Sequence, residues 1–327
     1  MNYIVFDLEW NQCSNPNFEN ELLPFEIIEI GAVKMNSKFQ IIDEFGSIIK
    51  PQVYKKLQKH IKDVLNYDEE YLKNGRHFDE VCKEFLDWCG EDYKFCTWGP
   101  LDLYYLQQNM DFYVMEPLPA PLYFYNAQEI FSEIYPQYGN CKLEKAVNEL
   151  KIPIDKDRPF HSAINDAYYT GLVMAKAKIR NFADQYSVDY YNNPKTEEEE
   201  IFNKHRNFTE YVTREFDDKI VAMEDTKLTG LLCNKCNRKT LRKIKWFSNN
   251  SNNYLCVGKC WYHGYVMGKI KFRSTYDDKV FAIKRVQLIK KAEMEEIKER
   301  QNTLRHKRKE RNKQQRLKAK QKKNDLK

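Results

Sequence analysis

Hydrophobic and polar positions alternate along the first 180 residues in the way that a mixture of strands and helices requires. Short runs rich in Ile, Val and Phe at residues 3–8, 25–34 and 39–49 predict successive strands of an antiparallel meander. Apolar side chains at helical spacing predict an amphipathic helix over residues 76–89. Further strands are predicted at 94–98 and 122–126, and further helices from 101, at 127–135, 142–150 and 163–180. The pattern indicates an α/β domain with a mixed sheet and surrounding helices.

The remainder of the chain does not continue this alternation. Residues 183–227 are polar and include the run "NNPKTEEEE", so we expect a polar, acidic linker that is partly helical. Residues 228–275 form a cysteine-rich hairpin region, expected to be a small β module of zinc-ribbon type. Residues 276–327 are charged and contain no glycine, which predicts a basic tail that is helical or disordered. The main domain is then expected to occupy residues 1–182.

Composition sets the size and the expected compartment. A chain of 327 residues with 42% hydrophobic residues is long enough for one sizeable domain and a smaller one. No signal-peptide pattern is present, and no apolar run approaches the roughly 20 residues that span a bilayer. We therefore expect a soluble, cytoplasmic protein without a membrane partner. Five scattered cysteines lack disulfide-framework spacing and are interpreted as free core thiols: Cys13, Cys82, Cys89, Cys96 and Cys141.

Two carboxylates stand one residue apart in the apolar first strand, "VFDLEW". Side chains two apart in a strand point to the same face, so Asp7 and Glu9 would repel each other unless a cation neutralises them. Oxygen ligands of this kind favour Mg²⁺ or Mn²⁺. Asp102, in the first turn of a helix, and Asp166 are further candidate ligands. His161 lies five residues before Asp166, too far along a helix to share one ion, and is expected to deprotonate a water instead.

These residues resemble, in motif order, the DEDD 3′-to-5′ exonucleases of the RNase H-like fold, in the subgroup whose third motif carries histidine (DEDDh). The motifs are D-x-E in "FDLEW", an aspartate in "GPLDLYYL" and H-x4-D in "HSAINDA". The segments "PFEIIEIGAVK" and "CKLEKAVNELKIPI" also resemble family segments, so the resemblance covers about residues 1–180. RNA-directed members of the Eri and KapD groups are the most similar.

The resemblance implies an RNase H-like mixed sheet of five strands flanked by helices, and hydrolysis of a 3′-terminal phosphodiester to a nucleoside 5′-monophosphate. It implies two Mg²⁺ or Mn²⁺ ions about 4 Å apart. Asp7 would bridge both ions, Glu9 and Asp166 would complete the shell of the nucleophile-side ion, and Asp102 would hold the second ion directly or through water. His161 would be the general base.

The sequence departs from the family pattern in two places. Asn165 stands where an acidic residue often precedes the last aspartate, which removes a charge without removing a ligand. The residues around Asp102 match less strictly, so Asp111 stays an alternative for the second motif. Glu29, inside the apolar second strand, is interpreted as structural or outer to the metal ligands.

A second set of residues has the spacing of a structural zinc site. Cys233 and Cys236 form C-x2-C, and Cys256 and Cys260 form C-x3-C, with nineteen residues between the two pairs. Two close pairs separated by the length of a hairpin are typical of one tetrahedral Zn²⁺ bound by four thiolates. His263 is an alternative ligand in place of Cys260.

Positive charge surrounds the cysteine pairs and fills the end of the chain. Candidate nucleic-acid contacts are Lys235, Arg238, Lys239, Arg242, Lys243 and Lys245, which are interleaved with aromatic residues. Residues 298–327 hold fourteen Lys/Arg against three Asp/Glu, although the whole chain has a net charge of only +6. This distribution favours a polyanionic partner. The resemblance to RNA-directed family members implies that this partner is RNA rather than DNA. A DNA-directed proofreading or repair exonuclease of the same fold and a non-catalytic nucleic-acid-binding regulator stay open as alternatives.

Overall fold

The computed structural model describes residues 1–65, 69–182, 185–275 and 277–324, except for the side chains of 64, 69, 180, 182 and 315–324. The chain divides into two compact units, Met1–Asn192 and Asn193–Lys327. Among the described residues, no helix combines the length and the apolar character needed to cross a membrane.

The first unit is built on a mixed six-stranded sheet in the order β3-β2-β1-β4-β5-β6. Its strands are β1 (Asn2–Gln12), β2 (Phe25–Met35), β3 (Ile41–Ile48), β4 (Tyr93–Thr97), β5 (Tyr123–Asn126) and β6 (Ser187–Val188). The strands β1, β2 and β3 form the predicted antiparallel meander, while β4 and β5 run parallel to β1. The sheet has one strand more than the predicted five, because the two-residue β6 pairs with the edge of β5.

Helices cover both faces of this sheet. They are α1 (Lys59–Leu65), α2 (Glu69–Lys73), α3 (Phe78–Cys89), α4 (Leu101–Phe112), α5 (Ala127–Ile134), α6 (Leu143–Glu149) and α7 (Ala163–Lys176). On one face α3 and α4 pack against Phe6 and Leu8. On the other face α5, α6 and α7 pack against Tyr3 and Val5. The alternation of apolar side chains along β1 thus supplies both cores.

The start of α7 lies directly on β2 at a glycine. A Cβ atom at Gly31 would come within 1.9 Å of the backbone nitrogen of Ile164 and 2.1 Å of the carbonyl carbon of Ala163. Gly31 is also the cross-strand partner of Asp7. Directly opposed residues of an antiparallel pair point to the same face. The missing side chain at Gly31 therefore brings the first turn of α7 onto the face of β1 that carries Asp7.

The second unit contains an antiparallel six-stranded sheet in the order β7-β8-β12-β11-β10-β9. Its strands are β7 (Ile201–Lys204), β8 (Phe208–Val212), β9 (Leu241–Ser248), β10 (Asn253–Cys260), β11 (Gly264–Ser274) and β12 (Val280–Ile289), with the short helices α8 (Lys219–Glu224) and α9 (Thr226–Thr229). Residues 201–212 were expected to be linker but form a β hairpin. Alternate residues of β7 are buried, and the buried carboxylate of Glu210 in β8 is paired with Arg285 at 2.7 Å.

The segment expected to be a tail from residue 276 begins instead with β12 and continues as α10 (Lys291–Asn324). Met294, Ile297 and Leu304 of α10 pack against the sheet residues Ile244 and Val257. These three helix positions are three and seven residues apart and share one face. The basic helix is therefore packed along its first turns, because a sparse apolar stripe is enough to bury one face.

Candidate active site and metal centre

Three carboxylates from two distant segments meet on one face of β1. Asp7, Glu9 and Asp166 each offer an oxygen, and these oxygens lie within 4.8 Å of one another. Asp7 and Glu9 point to the same face because they are two residues apart in the strand. Asp166 arrives from the first turn of α7, which rests on Gly31. The structure thus brings together three of the four predicted carboxylate ligands.

Asp102 borders this group from α4. The helix begins at Leu101 after β4, so Asp102 stands in its first turn at the end of a strand parallel to β1. Its buried carboxylate accepts hydrogen bonds from its own backbone N–H and from that of Leu8, the residue between Asp7 and Glu9. Asp111, the alternative for this role, lies at the other end of α4 and accepts a hydrogen bond of 2.7 Å from the Tyr191 hydroxyl.

His161 lies on the loop before α7, beside Asp166. Its backbone N–H donates a 3.3 Å hydrogen bond to Oδ1 of Asp166. Its backbone φ is 69°, a left-handed conformation that is uncommon for any residue other than glycine. Such conformations persist where surrounding contacts hold them, often at functional sites. The side chain is exposed, so it is accessible to a bound substrate.

Glu29 joins the cluster, although the sequence assigned it no role in metal binding. It is the cross-strand partner of Glu9 and is 3% exposed. Its Oε1 accepts a 3.0 Å hydrogen bond from the hydroxyl of Ser162, the residue after His161. The sequence signal was present in the charged residue within "FEIIEIG", but only the register of β1 against β2 shows that Glu29 faces Glu9.

Burial, and after it the neighbouring negative charges, raise the pKa of four carboxyl groups in the cluster: Asp7, Glu9, Asp102 and Asp166. Burial raises the pKa of Asp7 well above its ordinary value, and the charges of Asp102, Glu9, Asp166 and Glu29 raise it further. Burial, and then Glu29, raise the pKa of Glu9 to about 8. Burial raises the pKa of Asp102 to about 7, although its two backbone hydrogen bonds lower it. Burial also raises the pKa of Asp166 to about 6, against the lowering effects of the backbone N–H and the charge of His161.

This group of side chains fits divalent cations. Two like charges directly opposed across a strand pair are destabilising, and Glu9 opposes Glu29. Oxygen-only ligands at this spacing suit Mg²⁺ or Mn²⁺. A bound cation would supply the positive charge that the cluster lacks among the described residues.

The second cluster contains three cysteines and one histidine. Ligand atoms of Cys233, Cys236, Cys260 and His263 lie within 4.8 Å of one another. The Sγ atoms of Cys236 and Cys260 are 3.6 Å apart, and Nδ1 of His263 is 3.6 Å from Sγ of Cys233 and 3.7 Å from Sγ of Cys260. Tetrahedral Zn²⁺ with ordinary bond lengths places neighbouring ligand atoms about 3.5–3.8 Å apart. The four side chains therefore fit one zinc ion.

The predicted ligand set is corrected at one position, because Cys256 lies outside this cluster and His263 takes its place. Cys256 and Cys260 both belong to the extended strand β10. Residues four apart in a strand are about 13 Å apart, too far to share an ion. His263 follows Cys260 across the turn after β10 and reaches the same point. The spacing C-x2-H at residues 260–263 was the available signal, together with the alternating pattern of β10.

The two kinds of cysteine differ in their electrostatic surroundings. Burial raises the pKa of the Cys256 thiol to about 12, as expected for a core thiol. Burial opposes ionisation of Cys260 as well. Hydrogen bonds from the backbone N–H groups of Tyr262 and His263, and from the side chains of His263 and Cys236, nevertheless lower its pKa to about 6. A thiolate is the form that binds metal.

The candidate nucleic-acid contacts lie beside Cys236 in the sequence and in the strand β9 that follows. Those that lie in exposed positions are Lys235, Arg238, Lys239, Arg242, Lys243 and Lys245. Lys235 donates a 2.8 Å hydrogen bond to the backbone carbonyl of Arg206. The guanidinium of Arg238 lies over the ring of Tyr262 at 4.9 Å from its centroid.

A mixed sheet flanked by helices, with carboxylates gathered on its central strand, defines an α/β domain of the RNase H-like class. The model of the RNase T-type exonuclease family matches residues 4–174, more than half of the chain. The chain therefore belongs to this family of exonucleases, and the resemblance to DEDDh exonucleases drawn from the motifs is confirmed.

Individual relatives are distant. A DNA polymerase III of PolC type from Streptococcus sanguinis strain SK36 is 24% identical over 186 residues, which cover 57% of this chain and 12% of the polymerase. A probable 3′-5′ exonuclease KapD from Bacillus subtilis strain 168 is 26% identical over 110 residues, covering 33% of this chain and 53% of KapD. The chain thus matches about half of KapD and a small part of the polymerase. The solved nuclease domain of 3′hExo, a DEDDh family member bound to rAMP, has 17% identity and a TM-score of 0.48, over 57% of this chain and 95% of that one.

Proposed function

We propose that the protein is a metal-dependent 3′-to-5′ exonuclease that hydrolyses nucleic acid, RNA in preference to DNA, to nucleoside 5′-monophosphates. The observation that carries the proposal is the meeting of Asp7, Glu9 and Asp166 on one face of β1, within a chain of the exonuclease family. Catalysis is assigned to the first unit, whose sheet and helices hold all the carboxylates of this cluster.

The carboxylates would hold two Mg²⁺ or Mn²⁺ ions, with Asp7 shared between them. Glu9 and Asp166 would complete the ligands of one ion, and Asp102 would bind the other directly or through water. Such ions supply the positive charge that favours ionisation of the attacking water and stabilises the leaving 3′ oxygen. The hydrogen bond from Leu8 to Asp102 supports this role, because it fixes the carboxylate beside Asp7.

His161 would accept the proton of the attacking water. Its exposed side chain and its position next to Asp166 support this role. Glu29 would position it indirectly, because the carboxylate of Glu29 accepts the hydrogen bond of Ser162 and so holds the loop that carries His161.

The preference for RNA rests on the resemblance of residues 1–180 to RNA-directed members of the family. The match to a DNA polymerase favours DNA as the alternative substrate. Discrimination between the two sugars depends on contacts to the 2′-hydroxyl, and these form only when substrate is bound.

The second unit would bind one structural Zn²⁺ through Cys233, Cys236, Cys260 and His263. Four protein ligands leave no open coordination position, so this ion would stabilise the fold and take no part in hydrolysis. The surrounding cations would add affinity for the phosphate backbone of the substrate.

The test is a shortening assay on the full chain. The protein is incubated with Mg²⁺ or Mn²⁺ and with 5′-end-labelled single-stranded RNA or DNA of the same sequence, and the products are resolved by length. We expect stepwise shortening from the 3′ end, faster for RNA, with nucleoside 5′-monophosphates released.

The matched control is Asp7→Asn, which keeps the side-chain shape and removes the charge. We expect its activity to fall at least about a thousandfold, because the shared ligand of both ions is lost. If DNA is shortened faster than RNA of the same sequence, the protein is a DNA exonuclease and the preference for RNA is wrong. Binding of either nucleic acid without shortening would refute the enzymatic proposal.

A further inference from the structure

The turn between β10 and β11 exposes two aromatic side chains to solvent. Trp261 is 91% exposed and Tyr262 is 71% exposed. Large aromatic side chains ordinarily bury most of their surface, and a chain turn can be made from small polar residues instead. Two adjacent exposed rings at the tip of a hairpin therefore indicate a surface that contacts another molecule.

Two residues of the Cys/His cluster flank this turn. Cys260 precedes the two aromatic residues and His263 follows them, and both belong to the Cys/His cluster. The backbone N–H groups of Tyr262 and His263 donate hydrogen bonds to the sulfur of Cys260. Cys260 also pairs with Gly264 across the strands. The rings are thus carried on a backbone fixed before any ligand binds, which reduces the entropy lost on binding.

The segment that contains the turn carries only positive charge. Residues 226–276 include eleven Lys/Arg and no Asp/Glu, although the chain as a whole contains 48 acidic residues. Among the described residues, no carboxylate forms an ion pair with Arg238, Arg242 or Lys243. Arg238 lies over the ring of Tyr262, and Lys259 lies 5.8 Å from the ring centroid of Tyr265. Cations and rings therefore occupy the same surface.

We propose that Trp261 and Tyr262 form a base-stacking platform for single-stranded nucleic acid, flanked by cations that bind its phosphates. This inference rests on the proposed function, because it assumes a nucleic-acid substrate. Aromatic rings stack on any unpaired base, and each phosphate of the backbone carries one negative charge. A platform of rings and cations therefore fits a single strand without sequence preference. A duplex would not fit, because its bases are paired and stacked.

The experiment measures binding with the nuclease site disabled. A full-length Asp7→Asn chain is titrated into a fluorescein-labelled oligouridylate, an oligothymidylate and a duplex, and anisotropy is recorded without added Mg²⁺. In this background we expect Trp261→Ala to weaken binding of both single strands about 5- to 100-fold. The dependence of the binding affinity on salt should stay unchanged, because no cation is removed. Trp261→Phe keeps a ring and should keep most of the affinity. Arg238→Gln should reduce the slope of log affinity against log salt by about 0.7.

Two controls separate the platform from a folding effect. Phe18→Ala removes another ring that is 78% exposed, in the first unit, and should leave affinity unchanged. Zinc content and melting temperature of Trp261→Ala should equal those of the parent, because the exposed indole packs little against the rest of the fold. Oligouridylate should also quench the tryptophan fluorescence of the parent, and Trp261→Phe should abolish most of that quenching while it still binds.

If the Trp261→Ala/Tyr262→Ala variant binds single strands as tightly as the parent, the platform proposal is wrong. It is also wrong if oligouridylate still quenches the tryptophan fluorescence of Trp261→Phe. These results are distinguishable from failure of the proposed function, which is measured separately by shortening in the chain with Asp7 intact. If the chain shortens nucleic acid but the platform variants bind it as tightly as the parent, the platform proposal is refuted and the exonuclease proposal is kept.

Discussion

The carboxyl groups around β1 place opposing demands on folding and on metal binding. Four of them, Asp7, Glu9, Asp102 and Asp166, have a raised pKa, because burial and neighbouring charges disfavour the ionised form. A raised pKa in the folded state means that the group adds stability at low pH and that this contribution is lost as pH rises through the folded pKa. The ionised cluster therefore destabilises the folded state until a cation binds.

Without divalent ions, we expect the first unit to become less stable between about pH 4 and pH 8, the interval from the ordinary carboxyl pKa to the value of about 8 for Glu9. Thermal unfolding should show a transition temperature lower at pH 8 than at pH 5, by roughly 2–4 °C for each kcal/mol lost. Added Mg²⁺ should raise the transition most at pH 8, because it binds the ionised form.

The Asp7→Asn/Glu9→Gln variant provides the control for this prediction. With two charges removed, its transition should depend less on pH and should respond little to Mg²⁺. An equal fall in both proteins would assign the pH dependence to groups outside the cluster.

The Cys/His centre gives a second test at the scale of single residues. His263→Ala should reduce bound zinc from about one ion per chain to well below one, because it removes a ligand from a closed site. Cys256→Ala should retain about one zinc, because that thiol is buried in the core and is not one of the four clustered ligands. Elemental analysis of freshly purified protein measures both, and loss of zinc in the Cys256 variant alone would restore the four-cysteine set.

At the scale of elements, the sequence predicted β1 to β5 and α3 to α7 within a few residues. Most of them have apolar runs or apolar side chains at regular spacing, and the start of α4 is marked by Gly99 and Pro100. It did not predict β7, β8 and β12, in which the buried polar or charged side chains of Asn203, Glu210 and Lys284 disguise the pattern. Lys284 in β12 is 8% exposed, and its ammonium donates hydrogen bonds to the backbone carbonyls of Lys227 and Gly230. Glu210 in β8 is paired with Arg285. Partners this distant in sequence cannot be inferred from local pattern.

The same limit applies to the site. The motif order predicted Asp7, Glu9 and Asp166, which the structure brings together, but the position of Glu29 depends on strand register and that of Cys256 on the extended conformation of β10. Close contact between elements is equally hidden in the sequence. Gly31 has no signal beyond its residue type, yet it sets the distance between α7 and the sheet.

Gly31→Ala should therefore displace the first turn of α7 and with it Asp166. A Cβ atom there would lie 1.9 Å from a backbone atom, and backbone cannot move aside as a side chain can. Because displacement of a reacting group by 1 Å can cost about a hundredfold in rate, we expect shortening activity to fall about a hundredfold. We also expect stability to fall by about 1–3 kcal/mol through overpacking.

Gly46 is the matched control, because it pairs with Gly31 on the neighbouring strand. A Cβ atom at Gly46 would lie 3.6 Å from the nearest atom, a side-chain carbon of Ile164, which is an ordinary contact. Gly46→Ala should keep activity within a few fold of the parent. Equal losses in the two variants would show that the site does not depend on the close approach at Gly31.

At the scale of the whole molecule, positive charge is separated from the carboxylate cluster along the chain. Residues 312–327 contain seven Lys/Arg and one Asp, and residues 312–324 form the end of α10. The described contacts of α10 with its own sheet lie earlier, at Met294, Ile297, Leu304 and Arg308. The end of the helix can therefore be removed without removing those contacts.

A chain that ends at Arg311 should keep its melting temperature and its turnover on very short substrates. It should bind long single strands more weakly at physiological salt, with a shallower dependence on salt, because the slope falls by about 0.7 for every phosphate that no longer meets a cation. A full-length variant with Lys320, Lys322 and Lys323 changed to Gln separates charge from length and should flatten the slope by up to about two units. An unchanged slope in both variants would show that the terminal cations do not bind the substrate and that its salt dependence arises elsewhere in the chain.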